Sequence, residues 1–194
     1  MFVQVIHGRA SNADGLEDQW RKWVQEIKPG AEGYLGSTGG ITADGRFITV
    51  ARFESEASAR RNSDRPEQSR WWSETEGYLE DPTFVDCTDV EEWMGGGSDE
   101  AGFVQIIQGS SEEDRDMTPE DEEQVRKTRP DLIGGISAKH PDNKTWTTAA
   151  YFKDEPSARR GEKDPDFQKA MEEAGATPDL NTYWDLSSPW LDSA

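Results

Sequence analysis

The chain has 194 residues, 40 acidic against 21 basic side chains and a formal charge of −19, with 32% hydrophobic residues and one cysteine. Such a charge repels nucleic-acid phosphate and anionic membrane surfaces, so neither is an expected partner. Single Cys87 rules out an intramolecular disulfide and suits a reducing compartment; with no basic region followed by a long apolar run, the expectation is a cytoplasmic protein. Residues 1–97 carry 18 acidic and 10 basic side chains and residues 98–194 carry 22 and 11, giving −8 and −11. Acidity spread this evenly along helical segments reads as a solvated surface, with capture of a basic partner as the alternative.

In chain order, residues 2–8 form a short β-rich run ended by Gly8, with Val3, Val5 and His7 on one face and Phe2, Gln4 and Ile6 on the other. Leu16, Trp20, Trp23, Val24 and Ile27 recur at helical spacing, with Asp14 placed to cap the helix and Pro29-Gly30 to stop it. Residues 32–41 and 46–54 are strand-like around the hairpin signal Ala43-Asp44-Gly45. A second helical region runs from Ser55 to Leu79, broken at Asp64-Arg65-Pro66, where Asp64 can cap and Pro66 can open a new segment. Residues 82–88 make a last strand, completing the order β-α-β-β-α-β of a ferredoxin-like unit.

The unit then repeats. Phe2 to Gly8 matches Phe103 to Gly109 at five of seven positions, and Ala51 to Arg61 matches Ala150 to Arg160 at seven of eleven. The expected organisation is one repeat over 1–94, a Gly-rich linker over 95–101 and a second repeat over 102–194. The second copy opens its first helix at Thr118-Pro119, but the apolar stripe there shrinks to Met117 and Val125, which suits a structural partner. A ferredoxin-like sheet carries helices on one face only, and its other face here is too apolar for water. A linked second sheet is expected to cover it, making a monomer with an internal pseudo-dimer and leaving further dimerisation open. The fold class is therefore α+β, two ferredoxin-like repeats whose antiparallel sheets pack together.

Element order and the stretch Phe53-Glu54-Ser55-Glu56-Ala57 resemble the dimeric α+β barrel superfamily, in particular antibiotic biosynthesis monooxygenase-like proteins, in a tandem form. Asn62 stands about where many members have His, a departure from the pattern. The resemblance implies an intramolecular dimeric α+β barrel with a ligand space between each sheet and its own helices. It also implies a range of activities, including cofactor-free oxygenases of aromatic polyketides, haem-degrading enzymes and isomerases. The region around Asp81-Pro82 offers no axial His, which disfavours haem.

The copies diverge where such a space would lie. His7, Trp20, Trp23, Trp71 and Trp72 align with Gln108, Asp121, Gln124, Ala170 and Met171. The expectation is an aromatic-lined pocket in the first copy, with His7 as its titratable catalytic group facing that space and Tyr34, Arg52 and Asn62 among its ligand contacts. The alternative reads the tryptophans as core and His7 as a hydrogen-bonded residue at the sheet edge. Arg60-Arg61 and Arg159-Arg160, present in both copies, read as partners of nearby acids serving the fold. Gly33, Gly36, Gly39 and Gly40 lack the Lys-Ser/Thr of a phosphate loop and read as bulges or close backbone approaches. Two histidines and one cysteine make no metal set, Cys87 reads as a small buried residue, and His140 is expected exposed in a hairpin.

No cofactor is expected, and the partner is a small hydrophobic or aromatic ligand. Two function classes follow. One is a small-molecule protein of the cofactor-free monooxygenase or isomerase type acting on an aromatic or polycyclic compound. The other is a non-catalytic ligand-binding or stress-related barrel.

Overall fold

A computed structural model describes residues 1–110, 118–173 and 180–193, so Met117 lies outside the described residues. The first copy runs β1 (Phe2–Ala10), α1 (Ala13–Lys22), β2 (Tyr34–Ile41), β3 (Arg46–Phe53), α2 (Glu56–Ser63), α3 (Pro66–Thr75) and β4 (Leu79–Cys87). After β5 (Asp89–Trp93), the second copy runs β6 (Phe103–Ser110), α4 (Pro119–Thr128), β7 (Leu132–Lys139), β8 (Thr145–Phe152), α5 (Glu155–Gly161), α6 (Pro165–Glu173) and β9 (Thr182–Leu186), and β10 (Trp190–Ser193) follows.

Local chemistry explains most boundaries. Helix α1 is capped by Asn12, whose side chain accepts from the Gly15 amide at 3.0 Å; Asp14 lies in the first turn, where its charge complements the helix N-terminus instead. The helix then loosens into a π turn, Trp23–Ile27, whose Trp23 and Ile27 are both buried. Ser55 and Ser58 close a capping box on α2. Asp64 does not cap α3, because its backbone is still helical (φ −76, ψ −8) and a cap needs extended geometry; Arg65 takes that position and Pro66 opens the helix.

Both sheets are five-stranded and antiparallel, in the orders β10-β2-β3-β1-β4 and β5-β7-β8-β6-β9. The four strands β2-β3-β1-β4 and β7-β8-β6-β9 have the ferredoxin-like order, and the fifth strand of each sheet is borrowed across the repeat boundary. The last strand of the chain extends the first sheet, pairing Trp190 with Gly39 and Asp192 with Ser37. Strand β5, which follows the first copy, extends the second sheet. Contacts accordingly divide the chain into one unit of Met1–Val90 with Trp190–Ala194 and another of Glu91–Pro189.

Within the first unit, Val3, Val5, Ile48 and Val50 make one fully buried face of the sheet. The other face meets the helices. The same polar link ties sheet to helix in both units. Gln4 donates to Asp86 at 2.8 Å and Arg60 to the same carboxylate at 2.9 Å; in the second unit Gln105 and Arg159 donate to Asp185. Arg60 and Arg159 thus serve the fold.

The second unit is built around Trp93, Met94, Phe103, Ala150 and Phe152, with Val125 and Leu132 against them. Helix α4 buries none of its residues, as its thin apolar stripe foretold. His140 is half-buried rather than exposed, because its two ring nitrogens each lie 2.8 Å from a threonine hydroxyl, those of Thr145 and Thr147. In the same hairpin the Asp142 carboxylate accepts from the amides of Lys144 and Thr145 and from the Thr145 hydroxyl, which pulls it down to about 2. A depressed carboxylate contributes stability in full above its ordinary value of 3.8 and loses it as pH falls through about 2. The Thr145 amide resonance is expected to titrate with a midpoint near that lower value; a midpoint near the ordinary one would contradict the geometry.

Candidate functional site

A cavity of about 110 Å³ lies between the helices and the sheet of the first unit. Strand alternation sets its floor: Gln4 and Ile6 of β1, and Phe47, Thr49, Ala51 and Phe53 of β3, all point to the helix side. Tyr34 and Ser37 come from β2 and Trp190 from the borrowed β10. Helix α1 and its π turn contribute Leu16, Trp20 and Trp23; α2 contributes Asn62; α3 contributes Gln68, Trp71, Trp72 and Thr75.

Six of the eight residues named from the sequence meet here: Trp20, Trp23, Tyr34, Asn62, Trp71 and Trp72. His7 and Arg52 do not. His7 lies on the face of Val3 and Val5, opposite Gln4 and Ile6, so it points away from the helices; burial alone lowers its pKa. Arg52 shares the face of Ile48 and Val50 and is buried with its guanidinium against Gly36, where a Cβ would stand 2.2 Å from Nη2. That glycine is needed for close approach, not for a phosphate.

The aromatic wall is continuous. Trp23 sits 4.8 Å from the Tyr34 ring and 6.4 Å from Trp71, Trp71 lies 6.1 Å from Trp72, and Trp20 stacks on Trp190 at 5.9 Å and 25°. Two of the indole N–H groups are satisfied within the protein, Trp23 by Gln68 at 2.7 Å and Trp71 by the Gln19 carbonyl at 2.8 Å. The Nε1 of Trp20 is buried and makes no hydrogen bond. Asn62 takes part in a fixed chain: Arg65 donates to its Oδ1 at 2.8 Å, and its Nδ2 approaches Gln68 Oε1 at 3.4 Å. It steadies the residue that holds Trp23.

The polar end of the cavity belongs to Tyr34. Its hydroxyl lies 2.9 Å from Ser37 Oγ and 3.0 Å from Asp192 Oδ2, and Asp192 Oδ1 accepts from Lys28 Nζ at 2.8 Å. Burial first, and the neighbouring Asp192 carboxylate next among the effects in that direction, hold the Tyr34 hydroxyl well above its ordinary range, so it stays neutral. Trp190 and Asp192 were absent from the sequence reading. The available signal was a tryptophan shortly after the last strand of each copy, Trp93 and Trp190.

Among the described residues the second unit has no such polar end. The strand registers place Leu132 and Gly135 where the first unit has Tyr34 and Ser37. A Cβ on Gly135 would fall 1.8 Å from the Trp93 ring, so the indole lies directly over that glycine. Among the described residues no group of three or more His, Cys, Asp or Glu could hold a metal ion, and no helix is long and apolar enough to cross a membrane.

No family profile and no curated protein matches the sequence. Solved structures do match. A candidate monooxygenase from Lactobacillus acidophilus NCFM aligns at TM-score 0.68 and 12% identity over 99% of this chain and 96% of its own. A candidate monooxygenase from Fusobacterium nucleatum subsp. nucleatum ATCC 25586 aligns at 0.68 and 10% over 95% and 90%. The chain has the fold of these monooxygenase-like structures. An anthrone oxidase-like protein shares this monooxygenase-like fold at TM-score 0.60 and 8% identity, over 95% and 89%. At such identities the likeness is one of fold, and it agrees with the tandem resemblance seen in the element order.

Proposed function

We propose that the cavity of the first unit takes up a flat, uncharged aromatic molecule and oxidises it as a cofactor-free monooxygenase. The wall carries this reading: Trp20, Trp23, Trp71, Trp72 and Trp190 line it, and no Asp, Glu, Lys, Arg, His or Cys is among its lining residues. Indole faces suit a planar ligand, with about 0.5–1.5 kcal/mol per aromatic pair beyond area burial. A charged ligand would find no counter-charge there. The unpartnered Trp20 N–H suits a ligand carbonyl.

The anthrone oxidase-like neighbour suggests a reaction type consistent with such a wall. In anthrone oxidation the ring methylene gives up two hydrogens, one atom of O₂ becomes the new carbonyl, and the other leaves as water with those hydrogens. The substrate supplies the electrons. The buried, unpartnered N–H of Trp20 is the donor in the wall available to hydrogen-bond the enolate that meets oxygen.

A second reading, ligand binding without turnover, is favoured by the absence of His7 from the cavity. Oxygen uptake with 1,8-dihydroxyanthrone separates the two. Uptake above the protein-free rate, with one O₂ consumed per quinone formed, supports the monooxygenase. Saturable binding without added uptake supports the second reading, and no binding sinks both.

A further inference from the structure

We infer that Asp192 and Lys28 turn the Tyr34 hydroxyl in the β2 wall of this cavity into a hydrogen-bond acceptor, so that the site selects aromatic ligands carrying a hydroxyl or N–H. The inference rests on the cavity binding an aromatic molecule, and it adds which one.

Asp192 is buried, 9% exposed, and its Oδ1 is paired with the Lys28 ammonium, which also donates to the Ser193 carbonyl at 2.8 Å. A carboxylate can only accept, so the single phenolic proton of Tyr34 is drawn to Asp192 Oδ2, 3.0 Å away. Ser37 Oγ, 2.9 Å from the same hydroxyl, is a second acceptor beside that proton. The phenolic proton therefore points away from the ligand space. What Tyr34 offers to the cavity is oxygen lone pairs. A ligand donor fits them, whereas a ligand carbonyl or ether oxygen would leave two acceptors facing each other.

Nothing in the fold demands this chain. The second copy folds with leucine and glycine at the corresponding positions, Leu132 and Gly135, and lays the Trp93 indole over the glycine. The polarity of the first unit's wall also depends on the far end of the sequence, since only β10 brings Asp192 to Tyr34.

The test compares 1-naphthol with 1-methylnaphthalene, near-isosteres that differ in the donor, by isothermal titration calorimetry on the full chain. The hydrophobic effect alone favours the methyl compound. Wild-type protein is expected to prefer 1-naphthol by roughly tenfold. Asp192→Asn can donate to Tyr34 and release its proton towards the cavity. Tyr34→Phe keeps the ring and removes the accepting oxygen. Each is expected to remove most of that preference while 1-methylnaphthalene affinity stays within about twofold, which also reports that the cavity is intact. Equal affinity for the two compounds in the wild type, or a preference unchanged in both variants, overturns the inference and leaves the aromatic cavity standing. Failure of both compounds to bind the wild type removes the cavity reading itself, and the inference with it.

Discussion

Deleting residues 190–194 is expected to destabilise the first unit by about 3–5 kcal/mol and to abolish binding of 1-naphthol there. Of these, Trp190–Ser193 form the edge strand beside β2, and Trp190 lines the cavity. Trp190 stacks on Trp20 at 5.9 Å and approaches the Phe47 ring at 6.1 Å. Trp190 is partly buried, and its packing contributes up to about 1.5–3 kcal/mol. Loss of Asp192 adds an electrostatic penalty: the Lys28 ammonium, whose side chain is 25% exposed, and the buried Tyr34 hydroxyl both lose their partner. Breaking one side of a well-buried pair costs about 3–5 kcal/mol, and the partial exposure of Lys28 places this pair at or below the lower end. Urea unfolding of the truncated chain, read alongside the titration, checks both parts. An unchanged midpoint with retained affinity would show that the borrowed strand is dispensable.

Trp23→Ala is expected to cost about 3–5 kcal/mol, a large share of the stability of a domain this size. Trp23 is 8% exposed and packs with Ile27, Tyr34, Phe53 and Phe2 in one buried cluster. Its N–H to Gln68 at 2.7 Å fastens the π turn to α3, so truncation also leaves Gln68 without that donor. The void left would merge with the existing cavity, and surrounding rings already engaged with one another have little freedom to collapse into it. Trp72 makes a useful contrast. It is only partly buried, and it stacks edge-on at 5.1 Å against Phe84, which is 47% exposed, so Trp72→Ala should cost distinctly less. The comparison is read from urea midpoints at constant m-value. Equal losses from the two substitutions would contradict the assignment of Trp23 to the structural heart of the cavity.

The site was partly legible in the sequence, and its gaps have physical causes. Trp20, Trp23, Trp71 and Trp72 could be found because a helix that packs on a sheet must turn an apolar stripe inward, and helical spacing exposes that stripe. His7 was misplaced because a period of two says which residues share a face and not which face meets the helices. In β1 both sets are apolar enough to be buried, Phe2 with Ile6 on one side and Val3 with Val5 on the other, so the parity stays open in the sequence. The same ambiguity placed Arg52 among the ligand contacts. Asn62 was found at the cavity, but its hydrogen bonds to Arg65 and Gln68 tie together α2, α3 and the π turn, a relation no local pattern contains.

What the sequence determined by itself is the duplication, the order of elements in each copy, the evenly spread negative charge and the aromatic bias of the first copy. All of these are local or self-similar properties, set by periodicity, turn residues and composition. Only the tertiary structure decided which sheet face the helices cover, which strands sit at the sheet edges and whether the aromatic residues leave a space. The edge strands pair Trp190 with Gly39, about 150 residues apart in sequence, through backbone hydrogen bonds that carry almost no side-chain signature. Whether a space remains turns on single side chains at equivalent positions. An indole over Gly135 occupies that position in the second unit, while Ser37, turned towards Tyr34, helps leave the first unit's cavity open.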